Sequence, residues 1–162
     1  MRKSIKIICA ILAVLVFIYV RQYYNFPSER QVMQTTLETF NFDQLLARQP
    51  LVIQDRIPNV AELGDLWFPR NLKHTFTAPA NTWTRTSHKH TLLLHPTETM
   101  EVLVLHAGGR MAGQEPHPEE TLTAIALEAN QVLVLPFHTV FLVNKEKSII
   151  LAVHDWITRF LP

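Results

Sequence analysis

The side chains of this sequence best suited to hold a metal or move a proton are its histidines, eight in 162 residues. Imidazole titrates near neutrality and is a common metal ligand. His88 and His90 stand two apart, so on a strand both rings point to one side, as a pair of ligands requires. The competing reading is two solvated or hydrogen-bonded rings beside Lys89, whose charge opposes a bound cation. His138, after Pro136-Phe137, reads either as a third ligand or as a turn residue. His95 and His106 end apolar runs and read as strand-edge residues, and His117 lies between two prolines in an acidic loop. His154-Asp155 suggests part of a triad, but neighbours on a strand point opposite ways, and no Gly-x-Ser-x-Gly signal supplies a nucleophile. The single cysteine, Cys9, lies in an N-terminal apolar run, so the rest of the chain holds no thiol nucleophile and no thiolate-bound zinc. Glu98, Glu101, Glu119, Glu120 and Glu128 include no pair that the sequence alone sets at acid/base spacing.

The elements that must position these residues change character along the chain. Ile7 to Val20 is uninterrupted apolar sequence, flanked by Lys6 and Arg21 and followed by Tyr23 and Tyr24. This pattern predicts an uncleaved signal-anchor: one helix over residues 5–24 spanning the lipid bilayer, with Tyr19, Tyr23 and Tyr24 at its interface. A cleaved signal peptide is the weaker reading, because Val20 to Phe26 is bulky where a cut site needs small residues. Three basic residues before the run and one after it predict a cytoplasmic N-terminus and a non-cytoplasmic C-terminal domain. The expected division is a membrane anchor at 1–25, a juxtamembrane linker with short helices at 26–49, and a β-domain at 50–162. Within the middle segment, Ser28 to Gln31 resembles a capping box opening a helix through Val32, Met33, Leu37 and Phe40. Further short helices are expected from Asn41 and from Asn59.

Eight short apolar runs follow: 51–53, 74–77, 91–95, 102–106, 122–125, 132–135, 140–143 and 149–153. Their length and β-branched content predict antiparallel strands of an all-β sandwich or barrel. Several are apolar throughout, so both faces are expected to be covered, one by an opposing sheet and one by helices or a partner. Val102–Leu105, Val132–Leu135 and Ile149–Val153 are the expected core. Gly108 to Glu120, with three of the four glycines, is the one clear long loop; without a following Lys-Ser/Thr it is no phosphate loop. Trp67-Phe68, Trp83 and Trp156 read as core or interface anchors. Removing Arg2, Lys3, Lys6 and Arg21 leaves 11 basic against 14 acidic residues, so the rest of the chain sits near −3. That balance argues against nucleic acid as a partner.

From residue 36 onward the strand order resembles the cupin-like, Jumonji-C-type β-barrel. Phe40 to Ile57 is similar to that family's opening helix and strand, His88 to Gly108 to its central hairpin, Leu127 to Val143 to its late metal-bearing segment, and 148–156 to its last strand. The resemblance implies a mainly β, jelly-roll-type fold with short N-terminal helices. It also implies a site where the family's enzymes hold iron with two histidines and a carboxylate, leaving room for 2-oxoglutarate and oxygen. Here the carboxylate position reads His90. An ungapped match puts Phe141 at the late histidine position, and a gapped one puts His138 there. On the first, the metal site is degenerate and the domain is a non-catalytic structural or interaction module with a protein partner, in an envelope or virion assembly. On the second, it is a metal-dependent dioxygenase or hydroxylase with His88, His90 and His138 as ligands.

Overall fold

The structure is a computed structural model that describes residues 2–24, 31–105, 115–117 and 120–161; of residues 2–4 and 22–24 only the backbone is described. The first helix, α1, runs Arg2–Tyr24. Then come β1 (Met33–Thr35), α2 (Asp43–Leu46), β2 (Leu51–Ile53) and α3 (Val60–Trp67). Eight strands complete the domain: β3 (Leu72–Thr77), β4 (Thr84–Arg85), β5 (His90–Leu94), β6 (Met100–Leu105), β7 (Leu122–Leu127), β8 (Val132–Pro136), β9 (Val140–Val143) and β10 (Ile149–His154). A 3₁₀ turn, Thr158–Phe160, ends the described chain.

The strands form two sheets. The larger has the order β1-β2-β8-β5-β10-β3 and the smaller β4-β9-β6-β7. All pairings are antiparallel except β1 with β2. Strand alternation sorts the large sheet's side chains into two cores. Val52, Leu93, Leu133, Leu135 and Ile150 face Val102, Val104, Ile125, Leu127 and Phe141 of the small sheet. Leu51, Ile53, Leu92, Leu94, Leu151 and Val153 face the other way, onto Val60, Leu63, Trp67 and Phe68 at α3. The continuous apolar runs therefore mark strands covered on both sides, by a sheet and by helices. Helix α3 lies close enough to β10 that a Cβ added at Gly64 would collide with the Leu151 side chain. Its start follows from Asn59, whose side chain accepts from the Ala61 amide, while the Asn59 amide group donates to Glu62. At α2, Gln44 accepts from the Asn41 amide and Asn41 from that of Asp43.

Several expectations are corrected. The membrane-spanning helix is overturned, because no helix among the described residues is long and apolar enough to cross a membrane. The uninterrupted apolar run, Ile7 to Val20, rises only about 21 Å as a helix against a hydrocarbon core of about 30 Å. Lys6 and Arg21 close it at either end. The single-pass, signal-anchor and virion-membrane assignments, and the orientation of N-terminus and domain about a bilayer, fall with it. Tyr19, expected at a bilayer interface, instead gives its hydroxyl to the Asp155 carboxylate just after β10. The helix expected through Val32 and Met33 is in part the strand β1. Hydroxyl bonds among Thr35, Thr36 and Thr39 hold a turn where that helix would continue. Strands β1 and β4 were not expected, being three and two residues long and lacking an apolar run. Trp156 is exposed. The capping box at Ser28, most of the long glycine-containing loop, and His106 lie outside the described residues.

In the expected core, Leu133 is fully buried, but Leu103 is only partly so and points away from its neighbours Val102 and Val104, which fill the inter-sheet core. Leu133→Ala should therefore cost about 2–5 kcal/mol, and Leu103→Ala roughly 1 kcal/mol. Equal losses for the two in urea unfolding would contradict the assigned faces.

Candidate metal centre

The site grows from the edge of the large sheet, where β3 pairs with β10. His74 lies opposite Ala152, and His154 lies opposite Leu72. Ala152 and His154 stand on the face that Ile150 turns toward the small sheet, and His74 shares that face through its pairing with Ala152. His88 reaches the same place from the approach to β5, two residues before that strand begins. The His88 and His154 rings meet edge to face with centroids 4.5 Å apart, His74 stacks on His154 at 5.0 Å, and His88 stands 5.5 Å from His74. One ring nitrogen from each of the three lies within 4.8 Å of the others, close enough to share one ion. His74 is exposed and the other two are half-buried, so the cluster opens to solvent on the β3 side. Phe76, two residues along β3, packs on His74 and His88.

The polar atoms here are short of partners. Among the described residues, the buried side-chain nitrogens and oxygens with no hydrogen bond are Nδ1 of His88, Nδ1 of His154 and Oγ1 of Thr91. Burial, reinforced by the neighbouring His154 and His74, lowers the His88 pKa to about 4. The His154 pKa is lowered mainly by burial, then by His74 and Arg159, with Asp155 opposing. Both rings are thus neutral at pH 7, with a lone pair to donate. The charge of Lys89, which the sequence set against a cation, is met by the Asp155 carboxylate at 3.6 Å. That carboxylate is itself held by the amides of Ile157 and Thr158.

The expected ligands His88, His90 and His138 are not brought together. His90 begins β5 on the opposite face, stacked on Phe68 at 5.2 Å. The alternation that pairs i with i+2 does not extend back to His88, which lies outside the strand. His138 is buried in a left-handed turn with φ of 63°. It stacks on Phe137, and its Nε2 accepts from Arg85 at 2.8 Å, which occupies the lone pair a metal would need. Phe141, the other occupant of the late position, is buried in the inter-sheet core. His95 is buried as a structural link: Nδ1 accepts from the Glu98 amide and Nε2 donates to the Glu146 carbonyl. His117 is exposed. Sequence reasoning missed His74, which stands in a strand of mixed polarity, and set His154 aside as a failed triad. No local spacing links them; the adjacency of β3 to β10 does.

His90 carries its own consequence. Burial, then Lys89 and Arg48, lower its pKa to about 3, with Asp155 opposing. The unfolded chain takes up this proton near pH 6.5 and the fold does not. Stability present above pH 6.5 is therefore lost as the pH falls toward 3, by about 1–2 kcal/mol at pH 5. His88 acts with the same sign. Urea unfolding at pH 7 and pH 5 should show the loss, and His90→Leu should flatten it; an unchanged pH dependence in that variant would exclude His90 as a source.

No protein-family model matches this chain, and no curated protein matches it either.

Proposed function

We propose that this chain is a metal-binding β-domain that holds one divalent late first-row ion, such as zinc, through His74, His88 and His154. The observation that carries the reading is the convergence of three imidazoles at a place where the buried ring nitrogens of two have no protein partner. A buried polar atom left unpaired costs about 1–3 kcal/mol, and a metal bond is one way to offset that cost. Imidazole suits zinc, copper, nickel and iron. Three imidazole nitrogens on a tetrahedral ion are the protein part of an open site, since closed structural sites use four side chains.

The iron and 2-oxoglutarate chemistry implied by the family resemblance fits these residues poorly. The cluster contains no carboxylate ligand, and its one nearby acid, Asp155, is engaged by Lys89, Tyr19 and two backbone amides. The other expectation, a non-catalytic module working through surface contact alone, differs from the present reading in binding no metal.

Zinc or cobalt(II) titrated into the purified, chelator-treated full chain should bind at one equivalent. His74→Ala, on an exposed edge strand, should lower affinity by more than about 100-fold, beyond the range for outer-shell partners of a ligand. The exposed His117→Ala should leave it unchanged. Loss of binding in His138→Ala with none in His74→Ala would return the ligands to the set expected from sequence; no stoichiometric metal would favour the contact-only module.

A further inference from the structure

We infer that the metal keeps an exchangeable position directed toward Thr91, where it holds water, hydroxide or a small monodentate anion that accepts a hydrogen bond from the Thr91 hydroxyl. This inference rests on the three-histidine reading above and adds what the site binds. Thr91 lies opposite Ala152 on one side of β10, and His74 lies opposite Ala152 on the other. The three side chains therefore form one row across β5, β10 and β3, on a single face. Leu93, two residues from Thr91, packs into the inter-sheet core, which fixes that face as the one bearing His154.

The middle of the row is alanine. Neighbouring strands lie about 4.8 Å apart, so Thr91 and His74 stand about 10 Å apart across it at their Cα atoms. Ala152, itself fully buried, puts only a methyl group between them. Thr91 Oγ1 is buried and has no partner. Strand threonines commonly satisfy such a hydroxyl locally or through solvent. This one has neither arrangement, although it sits diagonally across from His154. Ligands that leave one coordination place free, and an unused donor on the same face, are the two halves of a site for a small anionic or ionisable ligand. Phe76, which packs on His74 and His88, is itself 38% exposed and His74 is exposed, so the cluster meets solvent on the β3 side.

The test uses the full chain loaded with one equivalent of cobalt(II), whose visible absorption reports coordination, with azide as the added anion. Azide should shift the spectrum saturably. Thr91→Val, nearly identical in shape, should bind cobalt as wild type does but weaken azide by about 10-fold or more, the worth of one hydrogen bond to a charged group. Thr91→Ser, which keeps the hydroxyl, should restore most of that loss. An unaltered wild-type spectrum at saturating azide would overturn the inference by showing a closed metal. Equal azide affinity in wild type and Thr91→Val would overturn it by removing Thr91, and so would loss of cobalt from Thr91→Val, which would make Thr91 a support for the ligands. Failure of wild type to bind cobalt at all would instead reject the three-histidine reading on which it stands.

Discussion

The burial of the large sheet on both faces is the constraint from which the rest of the molecule follows. Strands β2, β5, β8 and β10 are pressed between the small sheet and helix α3, and their interiors are almost wholly apolar. A polar side chain in such a sheet has few permitted places: the strand ends, the edges, or a position that supplies its own hydrogen-bond partner. His90 and His154 take the two ends of neighbouring antiparallel strands, His74 takes the edge strand, and His88 takes the approach to β5. His74, His88 and His154 meet because the sheet leaves them little other room, while His90 turns to the opposite face, onto Phe68.

The same constraint explains what was legible. All eight runs read as strands are strands; where a run is apolar throughout, as in β5, β8 and β10, continuous hydrophobicity reports burial on both sides, whereas β3 and β7 stay largely exposed. The cap at Asn59 and the paired Asn41–Gln44 bonds before α2 were legible too, because each is a local hydrogen-bond pattern. Leu103 was misread as core: an apolar residue on a sheet's outer face looks the same in sequence as one on its inner face. The short strands β1 and β4 had no signal of their own and exist because a neighbour pairs with them. At N-terminal residues 5–24 the helix was legible, but its apolar length was overvalued.

The candidate site was half legible. His88 stands in a histidine cluster, but with His74 and His154 rather than with the His90 and His138 expected beside it. The pairing with His90 assumed that strand periodicity continued to residue 88. The strand starts at 90, so the backbone between them turns the two rings to different sides of the sheet. The His138 assignment treated a histidine after a Pro-Phe turn as free to ligate, whereas a guanidinium donated by Arg85 takes its lone pair. The true neighbours come from residues 74, 88 and 154, separated by 14 and 66 positions, and are joined by strand order alone.

The surrounding charges separate two kinds of buried histidine. His138 and His95 are made structural by their partners: His138 accepts from Arg85, and His95 links the Glu98 amide to the Glu146 carbonyl, so each fixes a turn or a strand end. His88 and His154 are built oppositely. Burial and mutual proximity keep them from protonating, and no acceptor has been placed against the Nδ1 atoms. Their nearest acid also faces Lys89 and the amides of the closing turn, and its pull on the His154 imidazolium is outweighed by burial and by the neighbouring His74 and Arg159. A site meant to carry protonated histidines would turn that carboxylate inward. Keeping the rings neutral, close and unpaired costs stability in the free protein, and a cation is the partner that such an arrangement suits: it uses the lone pairs, needs no proton, and gains from each ring that burial has kept uncharged.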